Sequence, residues 1–237
     1  MNLILLFSED FLTDNTVCLS DRRFHHIRTV QQPAPGDRLR VGLLNGKRGS
    51  GLIIQLTDRE IQLQVTLDQD CPKPLPATLL LALPRPKMLK RTLQTVAAMG
   101  VKELYLINAC RVDKSYWSSP LLHADKIHEQ LLLGLEQAGD TQLPRVHLRK
   151  RFKPFVEDEL PAIARNSRAL VAHPYQANPC PGESDQTTTL AIGPEGGFIP
   201  YEVDKLKNCG FEAVHIGERI LRVENAVPVL LARLFPL

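Results

Sequence analysis

Two apolar runs in the C-terminal third each break at glycine, and together they limit most sharply what this chain can become. Leu190-Ala191-Ile192 stops at Gly193-Pro194-Glu195-Gly196-Gly197-Phe198, and Ala213-Val214-His215-Ile216 stops at Gly217-Glu218-Arg219-Ile220-Leu221-Arg222. A short apolar run closed by glycine reads as a buried strand ending in a turn. Without a side chain at the strand end, a flat ligand can come up against the backbone. About one helix and one strand separate the two breaks. Both therefore fall at the carboxyl edge of one parallel sheet, where open α/β folds place ligands. A lone strand–glycine–helix junction is usually only a tight turn; the pair carries the inference.

The rest of the chain from Ala77 onward has the periodicity of such a sheet. Strands are expected over residues 78–83, 101–107, 145–148, 169–172, 189–192 and 213–216, with one helix framed by Pro84, Pro86 and Gly100 and others over 125–138, 154–164, 200–208 and 224–234. This alternation is that of an α/β domain with a mostly parallel sheet. In the last helix Pro228 is expected to be tolerable only in the first turn. Residues 1–70 read differently. Apolar runs at 3–7 and 17–19 precede one short helix, 21–30, capped by Asp21 or Ser20. Strands 38–44 and 50–56 flank an Asn45-Gly46 turn, and in 60–67 Ile61, Leu63, Val65 and Leu67 alternate with polar residues. Short strands with one helix imply a small barrel. Cys71-Pro72-Lys73-Pro74-Leu75-Pro76 is a stiff linker. Two domains are expected, 1–74 and 75–237. Gly42-Leu43-Leu44-Asn45-Gly46-Lys47 is one residue short of a phosphate-binding loop and is followed by Arg48. It reads as the hairpin turn.

Charge permits a nucleic-acid partner without demanding one, since Lys and Arg exceed Asp and Glu by 29 − 26 = 3. Arg22, Arg23, His25, His26 and Arg28 crowd the N-terminal helix; Arg38, Arg40, Lys47 and Arg48 sit on the hairpin. Arg145, His147, Arg149, Lys150, Arg151 and Lys153 form a third basic run with Phe152 and Phe155 interleaved. Each reads singly as solvated charge, and as sets they could follow an RNA backbone. The five cysteines show no Cys-x-x-Cys spacing and the histidines no metal-binding pair, so no metal is expected. Met1–Phe7 is too short for a signal peptide, and no run approaches the ~18 apolar residues of a membrane span. A soluble, cytosolic chain is expected.

Gly193-Pro194-Glu195-Gly196-Gly197, taken with Ile220-Leu221-Arg222-Val223-Glu224-Asn225-Ala226, resembles the SPOUT class of methyltransferases. The likeness is greatest to the family that makes 3-methyluridine in small-subunit (16S) ribosomal RNA. The resemblance runs over the whole chain, and His26-Ile27-Arg28-Thr29-Val30 matches a segment of that family's N-terminal domain. It implies a PUA-like RNA-binding barrel followed by a SPOUT α/β domain with a deep trefoil knot, here over about residues 169–237. It also implies S-adenosylmethionine as methyl donor and a homodimer, for which the apolar face of 226–234 is a candidate surface. The donor site maps onto His173-Pro174, Gly193 to Gly197, Ile216-Gly217 and Ile220-Leu221-Arg222. Arg222 would offset charge on the uracil oxygens, and Glu224 would orient Arg222 or accept the N3 proton; the alternative is an ion pair between them at a helix start. Two departures stand out: Ala98-Met99-Gly100 where a common form has Glu-Leu-Gly, and Val223 and Asn225 where threonines are frequent. Two other readings stay open, a SPOUT enzyme acting on tRNA or a ribose 2′-hydroxyl, and a non-catalytic RNA-binding protein of the same fold.

Overall fold

The structure, a computed structural model, describes residues 2–235. Met1, Pro236 and Leu237, which bound the two expected domains, lie outside the described residues. Two compact units emerge. The first is the chain up to Lys73 together with Leu132–Leu143; the second is Pro74–Leu131 with the chain from Pro144 onward.

In the first unit the strands Ile4–Leu6, Arg38–Leu43, Arg48–Leu56, Ile61–Gln69, Thr16–Leu19 and Phe11–Thr13 lie side by side in that order. They make a curled half-barrel, antiparallel except where Ile4–Leu6 runs parallel to Arg38–Leu43. Asn45, at φ 59°, turns the hairpin. Period-two alternation buries Ile61, Leu63 and Val65 with Phe24, Ile27, Val41 and Ile53. Asp21 caps the helix by accepting from Arg23 N at 2.9 Å, and after Arg22–His26 the helix loosens into a π turn, Ile27–Gln31. Leu132–Leu143 joins this unit through the backbone. Asn2 and Leu3 donate to Glu136 O at 2.9 and 3.0 Å, and Asn45 N donates to Thr141 O at 2.8 Å. No sequence pattern announces a partner that far along the chain.

In the second unit seven strands form one parallel sheet. Their order is Asn178–Pro179, Glu212–His215, Arg168–Ala172, Thr188–Ile192, Ala77–Ala82, Glu103–Ile107 and Arg145–Arg149. Thr188–Ile192 is buried throughout, as befits a strand covered on both faces. Helix Pro86–Ala98 turns Leu89, Leu93, Val96 and Ala97 inward, and Gly100 ends it at φ +81°.

Helix Val223–Leu234 corrects two expectations. Pro228 sits in its second turn, not its first. The N–H it lacks would have gone to the Glu224 carbonyl, and the fully buried Val227, Leu230, Leu231 and Leu234 hold the helix regardless. That same stripe is the apolar face offered above as a dimer surface. It belongs to the chain's own core, and Val229 and Ala232 are the apolar residues of the helix left exposed. Among the described residues, no helix is long and apolar enough to cross a membrane.

Candidate active site

Three adjacent strand ends build the site. Thr188–Ile192 runs into a loop that doubles back on itself: Gly197 N donates to Pro194 O at 2.7 Å, with Gly197 at φ +72°. A Cβ at Gly193 would stand 2.8 Å from Phe198 N, so that fold of the backbone admits only glycine there. Glu212–His215 runs into Ile216 and Gly217, the latter at φ +123° with its N–H on His215 Nδ1 at 3.1 Å. Arg168–Ala172 lies between them and ends at His173, whose N–H goes to Val214 O at 2.9 Å.

A cavity of about 300 Å³ opens among these loops. His173, Gly193, Pro194, Glu195, Gly196, Gly197, Ile216, Gly217, Ile220 and Leu221 all line it, with apolar walls completed by Ile192, Val223 and Leu230. Arg222 and Glu224 do not line it. Arg222 is exposed at the N-terminal cap of Val223–Leu234 and, among the described residues, its side chain has no hydrogen bond or ion pair. The ion pair with Glu224 is therefore not formed. Glu224 Oε2 is shut off from solvent without a partner among the described residues, and so is His173 Nδ1. Burial, helped by Lys207, holds the His173 pKa below its usual value, so the ring is neutral at pH 7.

Three further residues shape the loop, and the sequence reading passed over all of them. Arg85 holds Glu195 Oε1 with its backbone N–H at 3.2 Å and its Nε at 3.3 Å. Arg111 lines the cavity, donates to Gly196 O, and packs so closely that a Cβ on Gly196 would lie 2.9 Å from its Cδ. Glu202, only 3% exposed, accepts from Cys110 N at 2.6 Å and from Ile199 N at 3.0 Å. Two signals were available. Glu202 occupies the third helical position after a loop, the capping-box place, and Arg111 follows a strand at the sheet edge that carries sites.

The model of the family described as RNA methyltransferase domain matches residues 71–235. The chain belongs to that family. A Treponema pallidum protein named ribosomal RNA small subunit methyltransferase E is 29% identical over 231 residues, covering 94% of this chain and 86% of its own. A Borreliella burgdorferi protein named ribosomal RNA small subunit methyltransferase E 1 is 23% identical over 229 residues, covering 95% and 94%. Two solved structures share the fold of both units. One is a ribosomal RNA small subunit methyltransferase E from Neisseria gonorrhoeae bound to S-adenosyl methionine, with TM-score 0.74, 20% identity, and 97% of this chain and 95% of that one covered. The other is a putative methyltransferase from Legionella pneumophila in complex with the same cofactor, with TM-score 0.73, 20% identity, and 98% and 95% covered.

The basic residues expected to meet RNA divide sharply. Arg23 is the correction: it is 4% exposed, bound to Asp10 at 2.6 and 2.7 Å, to Leu5 O at 2.7 Å and to Asp21. Burial opposes its charge, but the hydrogen bonds to Asp10 and Asp21 outweigh this and hold its pKa above the ordinary value. A phosphate cannot reach it. Arg22 is paired in two-pronged fashion with the buried Glu136, Arg28 with Asp58, and Arg149 with Glu159. His26 is half-buried. Arg151 is exposed. Arg38, which donates to Ser50 Oγ at 3.2 Å, and Arg40, without a side-chain partner among the described residues, line an open polar groove of about 650 Å³ in the first unit.

Proposed function

We propose that the protein transfers a methyl group from S-adenosylmethionine to N3 of a uridine in 16S ribosomal RNA. The cavity at the three strand ends carries this reading. Its volume lies at the lower end of small-molecule sites, its walls are apolar enough for an adenine, and His173 Nδ1 waits there for a hydrogen bond. The names of the relatives over nearly the full chain supply the ribosomal substrate.

The bound donor supplies a methyl on a positively charged sulfur, an already activated leaving group. What remains for the chain is positioning and the preparation of N3. Gly193 to Gly197 and Ile216-Gly217 present backbone groups to the donor, while Leu221 provides a wall. Arg222, unpartnered and one residue past Leu221, offsets negative charge on uracil O2 or O4 as the N3 proton leaves. Glu224 Oε2, buried and without a partner among the described residues, takes that proton. The groove with Arg38 and Arg40 follows the RNA backbone. A second copy of the chain would meet this one through Ile220, Leu221 and Val229, which are left exposed.

Reverse transcription of 16S RNA treated with the protein and donor is the test, because N3 methylation blocks base pairing. A new stop at a uridine supports the reading. Methyl incorporation without a stop would assign the activity to another position, such as a ribose hydroxyl.

A further inference from the structure

We infer that Glu202 is a positioning residue for the donor cavity, acting through Arg111; this rests on the donor reading above. At the start of helix Pro200–Asn208 the N-cap N–H of Ile199 needs an acceptor, and Glu202 Oε2, at the third helical position, reaches back to it. Its other oxygen goes to Cys110 N, 92 residues away in sequence, at 2.6 Å. The charge is buried, and among the described residues it has no cationic partner, only these N–H groups and the positive end of a helix. Reaching back to the N-cap N–H alone would be met by a neutral glutamine without burying a charge.

What the second oxygen secures is the loop that leaves strand Glu103–Ile107. The loop turns through Val112 N on Ala109 O at 3.0 Å and carries Arg111. Arg111 lays its methylenes against Gly196 and donates to Gly196 O. One carboxylate thus sets both ends of the donor loop: Ile199 directly, and Gly196 by way of Cys110 and Arg111. A glutamine keeps a single acceptor oxygen, and its amide N–H₂ would face a second N–H. Glu202→Gln should therefore loosen Gly196 while leaving most of the cap.

The experiment is calorimetric titration of S-adenosylmethionine into full-length wild type, Glu202→Gln, Arg111→Ala and the double variant, with melting temperatures measured alongside. Glu202→Gln should weaken binding by about tenfold, the effect of one buried group left unmet, and Arg111→Ala should weaken it by releasing Gly196. The double variant should be no weaker than the worse single, because both act on one contact. A lowered melting temperature with unchanged affinity in Glu202→Gln would leave it a helix cap and overturn the inference. Additive losses would overturn the route through Arg111. Should Glu202→Gln fail to fold, the exposed Arg111→Ala carries the test, and unchanged affinity there would also overturn it. Wild type that binds no donor at all would instead overturn the reading on which this rests.

Discussion

The glycine-lined cavity and the basic surface of the N-terminal unit were both read from short sequence patterns, and the structure brings the residues of the first together while it pairs off several of the second. At the cavity the pattern was one of backbone: strand, glycine, turn. Those glycines act where they stand, as Gly193 shows by lying against Phe198 N, five residues on. On the N-terminal unit the pattern was one of charge. Whether an arginine is available depends on acids elsewhere in the chain, and Arg22, Arg23 and Arg28 meet theirs at Glu136, Asp10 and Asp58. A motif built from backbone conformation can be read locally; one built from side-chain charge cannot.

Arg23 offers the hardest break of that comparison. Arg23→Ala would leave Asp10 buried without its partner, and destabilisation of about 3–5 kcal/mol is expected. Denaturant unfolding measures it, and a stable variant with weakened RNA binding would return Arg23 to the interface. Next comes Arg222→Ala, expected to slow single-turnover methylation at saturating donor by about 10²–10³. Arg222→Lys should recover only part of this, having lost the planar fork. A defect confined to donor affinity would make Arg222 a binding residue only. Smaller in effect, Arg38→Ser with Arg40→Ser should weaken RNA binding and lower its salt slope by about two, one for each lost phosphate contact. The paired Arg28→Ser should change it less. Equal slopes for all three proteins would show that the groove does not touch the backbone. Smallest is the pH dependence of donor affinity. With the His173 pKa lowered by burial, affinity should hold through neutral pH and fall only below the ordinary histidine range. A fall already at pH 7 would contradict a neutral His173.

The same contrast explains what could be read of the fold. Period-two alternation marked the strand Ile61–Gln69, and an apolar run closed by glycine marked the sheet's buried Thr188–Ile192, because both patterns are set by near neighbours in the chain. The short strand Phe11–Thr13 and the two-residue edge strand Asn178–Pro179 carry too few residues for any period. The assignment of Leu132–Leu143 to the first unit rests on bonds such as Asn2 N to Glu136 O, which no local pattern encodes. Pro228 was placed by a steric rule that buried packing overrode. In the site, the glycines came from the sequence, while Arg111 and Glu202 emerged only once strand Glu103–Ile107 lay at the same sheet edge.

The central claim is that two glycine-broken strand ends form the donor pocket, and Gly217 tests it most directly. It stands at φ +123° and, its chain neighbours aside, no atom of the described residues lies within 4 Å of where a Cβ would go, so a side chain there disturbs the cavity and not the core. Calorimetry of S-adenosylmethionine with wild type and Gly217→Val should show binding that is lost or weakened by more than about tenfold in a variant that remains folded by circular dichroism. Unchanged affinity in folded Gly217→Val would contradict the account.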